Sequence, residues 1–171
     1  MVRAAKGVKA WRLRHYIPAE VFAGLHSTNS TVRQRAEDVI ATFASLTKWY
    51  GYKDARRNGL CVNNHELRKL RASEPGRPSD ERHTVGAGTC SLCALAEARA
   101  GSTLSVRKCP HCPLASARAG RPCTVTLGSE SASPWRRARD HGDCQPMIDW
   151  LQYTLSVAIS RWRSAVASAG G

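Results

Sequence analysis

The sequence predicts a mainly α-helical fold, a small helical domain in which a cysteine-rich module packs against long helices from the N- and C-terminal halves. Two segments carry apolar residues at helical spacing, and two C-x-x-C pairs lie between them. The 171 residues suffice for one compact domain with extensions.

Residues 1–17 are predicted to form a basic arm. The segment has five basic residues and no acid, and it lacks the continuous apolar run of a signal peptide. We expect it to contact an acidic partner through Arg3, Lys6, Lys9, Arg12 and Arg14.

Residues 18–72 are predicted to form a helical subdomain. A short helix begins at Pro18, because proline is favoured in a first turn, and ends near Gly24. The segment 63–72 contributes another short helix with an asparagine cap.

The main helix of this subdomain follows from a clear period in "STVRQRAEDVIATFASLTKWY". Thr31 and Gln34 have the form of a capping box at its start, and Gly51 with its aromatic neighbours is expected to close it. Its core face comprises Val32, Ala36, Val39, Ile40, Phe43 and Leu46.

The cysteine-rich module covers residues 90–145 and follows a linker, 73–89, rich in Pro, Gly, Ser and charge. Cys90, Cys93, Cys109 and Cys112 make C-x2-C-x15-C-x2-C, the spacing of a tetrahedral four-thiolate zinc site. Such a site has no open coordination position, which indicates a structural zinc knuckle rather than catalysis.

The identity of the four ligands stays open at this point. Cys123 could replace one of the four thiolates, and so could Cys144 or His111. Two short helices are expected inside the module, one in "LCALAEARAG" that ends at Gly101 and one in "PLASARAG".

Residues 146–167 are predicted to form an amphipathic C-terminal helix, followed by a short tail, 168–171. The apolar stripe needs a partner surface, most simply the core face of the main N-terminal helix. The stripe comprises Met147, Trp150, Leu151, Leu155, Ala158, Ile159 and Trp162.

The charge of the chain predicts an acidic partner. It has 26 Lys and Arg against 13 Asp and Glu, a formal net charge of +13. This balance favours nucleic acid, DNA or RNA, or a nucleoprotein complex, and no apolar run is long enough to cross a membrane. Besides the arm, the predicted phosphate contacts are Arg107, Lys108, Arg136, Arg137 and Arg139.

The tetrapeptide "CPHC" also occurs as the active site of oxidising thioredoxin-like enzymes. Such a site follows a buried strand and opens a long helix, whereas "TLSVRK" is largely polar and Pro113 follows the second thiol directly. Thiol redox chemistry is therefore our third hypothesis, after two binding functions.

The segments "CSLC", "KCPHCPL", "AGRPC", "SPWRRA" and "GDCQPMIDWL" together resemble small cysteine-knuckle accessory proteins of tailed bacteriophages and prophages. The resemblance covers roughly residues 90–155. It implies a phage accessory protein in the cytoplasm of a bacterial host, with Cys123 as a fifth positioned thiol.

Two binding functions follow, neither of them enzymatic. The first is a zinc-stabilised basic protein that contacts nucleic acid through phosphates. The alternative is a phage-encoded inhibitor that docks on a host defence or transcription complex through an aromatic hot spot, for which the candidates are Trp49, Trp135 and Trp162.

Overall fold

The computed structural model describes residues 17–57, 90–124 and 133–170, and every regular element in these ranges is helical, as predicted. In chain order the elements are α1 (Ala19–Gly24), α2 (Ser30–Arg57), α3 (Ser91–Ala100), α4 (Ser105–Lys108), a 3-10 turn (Cys109–His111), α5 (Pro113–Ala117), α6 (Pro134–Arg136), a π-turn (Arg137–His141) and α7 (Gln145–Ala169).

The two long helices, α2 and α7, form an antiparallel pair with the most extensive contact between described elements. Lys53 near the end of α2 donates to Gln145 at the start of α7, and Gln152 donates to the Tyr50 hydroxyl at 2.8 Å. The predicted apolar stripes face each other, because Val39, Leu46, Leu151 and Leu155 are all buried in one core cluster. The predicted pairing of the two helices is thus confirmed.

Both ends of α2 differ from the predicted ones. Asn29, not Thr31, caps the helix: its Oδ1 accepts hydrogen bonds from the backbone N–H groups of Thr31 and Val32 at 3.0 and 3.2 Å. The predicted end near Gly51 was wrong as well, since the helix continues to Arg57. A glycine inside a helix costs about 1 kcal/mol, and packing of the adjacent Trp49, only 4 % exposed, offsets it.

The segment with the two C-x-x-C pairs lies against the antiparallel pair of α2 and α7. Helix α3 packs on α2, while α5 packs on α7, where Arg161 donates to the Ser116 hydroxyl at 2.8 Å. The predicted end of α3 at Gly101 is confirmed: Gly101 adopts a left-handed conformation with φ of +59°, which residues with a Cβ rarely adopt.

Two of the three tryptophans proposed as hot-spot candidates are buried. Trp49 and Trp162 are buried in the core, with 4 % and 7 % of their surface exposed, and Trp135 is half-buried beneath the Arg139 guanidinium. The exposed large apolar side chains of the described ranges are instead Phe22, Leu104, Tyr153 and Val166.

Several sequence-based predictions concern residues outside the described ranges. These are the basic arm up to residue 16, the helix at 63–72 and the linker at 73–89. The division into an arm, subdomain, linker, module, helix and tail therefore stays a prediction. Within the described ranges, no helix combines the length and apolar character that crossing a bilayer requires.

Replacing Gly24 by alanine is expected to lower the free energy of unfolding by about 1 kcal/mol. A Cβ there would lie 3.0 Å from Nε1 of Trp162 and 3.2 Å from the Ala36 Cβ, so the helices would have to separate slightly. The matched control is Gly51→Ala, whose Cβ meets nothing within 4 Å and which should stabilise by about 0.5–1 kcal/mol. Urea unfolding measures both, and equal stabilisation by the two variants would show that Gly24 is not tightly packed.

Candidate metal centre

The first C-x-x-C pair lies where the chain enters α3. The backbone N–H groups of Leu92 and Cys93, two and three residues after Cys90, donate to its sulfur. The Cys93 thiol also hydrogen-bonds to Cys90, and this contact is the main reason why the pKa of Cys90 is lowered and that of Cys93 raised. The turn therefore stabilises the thiolate form of Cys90.

Ser45 of α2 anchors this first turn. Its hydroxyl oxygen lies 3.7 Å from the Cys90 sulfur and accepts a hydrogen bond from the Leu92 N–H at 3.3 Å. Ser45 is fully buried, so both contacts are shielded from water. The position of the Cys90 thiol is consequently fixed by a residue that precedes it by 45 positions in the chain.

The second pair differs in its local geometry, because the sulfur that accepts backbone N–H groups belongs to its second cysteine. Cys109 begins the 3-10 turn, and the Cys112 N–H donates to the Cys109 carbonyl at 3.0 Å. The N–H groups of Leu114 and Ala115, again two and three residues further on, donate to the Cys112 sulfur, although burial raises the pKa of Cys112. Two N–H donors on one sulfur favour a charged thiolate and are the kind of support that metal-bound sulfur uses.

Five thiols converge between these turns. Electrostatic interactions join Cys93 to Cys112 and Cys123, and join Cys123 to Cys90, Cys109 and Cys112. The Cys123 thiol is buried beside the other four, which raises its pKa to about 12. The structure thus brings together all four cysteines of the predicted ligand set and the predicted replacement.

Two lysines flank this thiol cluster, defined as Cys90, Cys93, Cys109, Cys112 and Cys123. Burial lowers the pKa of Lys48 on α2, while the charges of Cys90 and Cys93 act in the opposite direction. Lys108 forms an ion pair with Glu97, which raises its pKa, and it interacts with Cys93 and Cys109. Both cations would offset the negative charge of several thiolates in one place.

The thiols of the cluster are close but not arranged as ligands. Within the described ranges, no three cysteine, histidine or carboxylate groups are positioned to hold an ion. Of the other two alternative ligands, Cys144 is buried in the apolar core, with its thiol 3.7 Å from the Gly142 carbonyl, and His111 is exposed. Chemically, the donor set fits zinc, because sulfur ligands on paired turns suit a tetrahedral ion.

The predicted phosphate contacts fall into three groups. Arg3, Lys6, Lys9, Arg12 and Arg14 lie outside the described residues. Arg107 and Arg136 are exposed. Lys108, Arg137 and Arg139 each form an ion pair within the chain, with Glu97, Asp143 and Asp140 respectively.

Sequence reasoning missed a buried polar seam on α2, formed by Asp38, Thr42 and Ser45. Asp38 accepts from Arg99 at 2.6 Å near the end of α3, whereas Ser45 holds its start. Thr42 lies between them and donates to the Asp38 carbonyl at 2.6 Å. The spacing of four and three residues places them on one helix face, but it does not reveal their partners, which come from distant segments of the chain.

Searches for related proteins give no family. No family model, no curated protein and no solved structure matches the chain. The resemblance to phage cysteine-knuckle proteins therefore stays a prediction from sequence.

Proposed function

We propose that this chain is a non-enzymatic, zinc-stabilised basic protein that binds nucleic acid, as a phage-type accessory protein in a bacterial cytoplasm. The observation that supports the zinc site is that five thiols from three segments lie near enough to interact electrostatically, although those in the described ranges are not arranged as ligands. Cys90, Cys93, Cys109 and Cys112 are the proposed ligands, and Cys123 is the thiol that can replace one of them. Four thiolates would leave zinc no open coordination position, which fits a structural role.

The zinc site is preferred over thiol redox chemistry because of what surrounds "CPHC". A dithiol enzyme needs two thiols, and the first one needs a lowered pKa at the start of a long helix. Here the pair is followed by α5, which has only five residues. Three further thiols, Cys90, Cys93 and Cys123, interact with this pair; a four-thiolate zinc site needs two more thiols, whereas dithiol exchange needs none.

The charge distribution of the described ranges supports a nucleic-acid partner. Five carboxylates are already engaged in ion pairs inside the chain: Glu37, Asp38, Glu97, Asp140 and Asp143. Six exposed arginines have no carboxylate partner among the described residues: Arg33, Arg107, Arg121, Arg136, Arg161 and Arg163. The guanidinium group matches phosphate in geometry, so this surplus favours a polyphosphate partner.

The second candidate function is inhibition of a host protein complex. It is favoured by Phe22 and Tyr153, which expose 51 % and 57 % of their surface on α1 and α7. Aromatic side chains dominate protein–protein hot spots. Binding through them would depend little on salt, because it would not release counterions.

The salt dependence of binding to a short DNA duplex tests the proposal. Each phosphate contact contributes about −0.9 to the slope of log affinity against log salt, so three contacts give a slope of about −2.7. We expect a slope at least this steep, measured by fluorescence anisotropy on the zinc-loaded full chain. No binding at low salt, or binding with a flat slope, would count against a nucleic-acid function and favour the inhibitor.

A further inference from the structure

One end of the α2–α7 pair carries a groove with a basic lining. It lies between the start of α2 and the last turns of α7 and has a volume of about 420 Å³. Two arginines, Arg35 and Arg161, line it together with hydroxyl groups, and none of the described carboxylates does. The hydroxyl-bearing residues are Thr31, Ser160, Ser164 and Ser168.

The groove continues toward the second cysteine turn. A neighbouring section of about 440 Å³ is lined by Arg35 as well, and by Arg99, His111 and Ser116. Arg161 lines the first section, and its guanidinium donates to Ser116 in the second. Since Arg35 lines both sections and Arg161 bonds to Ser116, the two sections adjoin, and together they are named the groove.

The lining offers unused donors to an anion. A guanidinium has five N–H donors; in the hydrogen bonds within the described ranges, Arg35 uses one on Asp38 and Arg161 uses one on Ser116. The single carboxylate in the lining, Asp38, faces both Arg35 and Arg99 at 3.2 and 2.6 Å, so its charge is compensated. The groove as a whole therefore has a positive lining.

We propose that this groove binds the sugar-phosphate backbone of a nucleic acid, through Arg35 and Arg161. This inference rests on the proposed function and names the surface that performs it. Guanidinium donors are suited to phosphates, whereas the hydroxyls of Ser164 and Ser168 already donate to backbone carbonyls of α7. Among the described residues no Phe, Tyr or Trp lines either section, and contacts to phosphates carry no sequence information. The groove should consequently bind different base sequences equally well.

The test compares two double variants of equal charge. Arg35→Gln with Arg161→Gln removes the groove arginines, whereas Arg33→Gln with Arg163→Gln removes two exposed arginines from the same helices, two positions away and outside the lining. On the same duplex, the groove variant should lose about two from the magnitude of the salt slope, one for each phosphate contact. The control should lose clearly less, because Arg33 and Arg163 do not line the groove and contribute only to the overall positive charge.

Three results would contradict the proposal that the groove binds a nucleic-acid backbone. Equal losses in both variants would mean that only net charge matters, which leaves the nucleic-acid function standing. Displacement of the duplex by polyglutamate at matched charge concentration would identify an acidic protein segment as the occupant. Absence of duplex binding by the unmodified chain would overturn the groove and the proposed function together. Thermal melting checks the fold, and if the double variant melts early, Arg161→Gln alone should still lose about one unit of slope.

Discussion

Cys112→Ser is expected to remove zinc from the protein and to loosen the segment between α3 and α5. The unmodified chain should carry one zinc per molecule when it is purified without chelators, measured by elemental mass spectrometry. Loss of a ligand should weaken zinc binding by well over the 10- to 100-fold that follows loss of a group supporting a ligand. Because binding free energy of a structural zinc is also folding free energy, far-UV circular dichroism should report lost helix.

Two other cysteines give this experiment its controls. Cys144→Ser alters a buried core thiol that donates to the Gly142 carbonyl and is not one of the proposed ligands, so zinc content should remain at one per chain. Cys123→Ser should also retain zinc if Cys90, Cys93, Cys109 and Cys112 are the ligands, and loss of zinc there would place Cys123 in the set. If the unmodified protein is free of zinc and its Cys109 and Cys112 react rapidly, the zinc proposal is wrong and thiol redox chemistry at "CPHC" is favoured.

The helices were predictable because local patterns determine them. The period of apolar residues located α2 and α7, and the glycine that adopts a left-handed conformation located the end of α3. The spacing of the cysteines likewise predicted two short turns at Cys90 and Cys109. The same local reasoning failed at Gly51, where contacts of Trp49 and Tyr50 with the rest of the core outweigh the low helix propensity of glycine.

The support of the candidate site could not be read from local patterns. Asp38 meets Arg99 across 61 positions of the chain, and Ser45 meets Cys90 across 45. An aspartate and a serine inside a helix are read as solvent-facing residues unless the partner that neutralises or bonds them is known. The same holds for Cys123, whose proximity to the other thiols depends on how the chain returns after α5.

The second large effect is expected for Asp38→Ala, which should lower the free energy of unfolding by about 3 kcal/mol. Asp38 is buried, and Arg99 donates to it at 2.6 Å while retaining contacts with Glu37 and the Gln34 carbonyl. Removal of the carboxylate leaves a largely buried cation, 23 % exposed, with its main partner missing. We expect a value at the low end of the range for broken buried pairs because Glu37 remains.

Glu37→Gln is the matched control, since it removes the outer partner of the same guanidinium. That carboxylate is 36 % exposed and 3.0 Å from Arg99, so its loss should cost less than about 1 kcal/mol. Urea unfolding of the zinc-loaded chain gives both values. If Asp38 holds α3 on α2, Asp38→Ala should also increase the reaction rate of the thiol cluster with a disulfide reagent, whereas Glu37→Gln should not. If both variants change the free energy of unfolding and the thiol reaction rate only slightly, packing around Leu92 and Ala96, rather than the ion pair, holds the cysteine turns on α2 and α7.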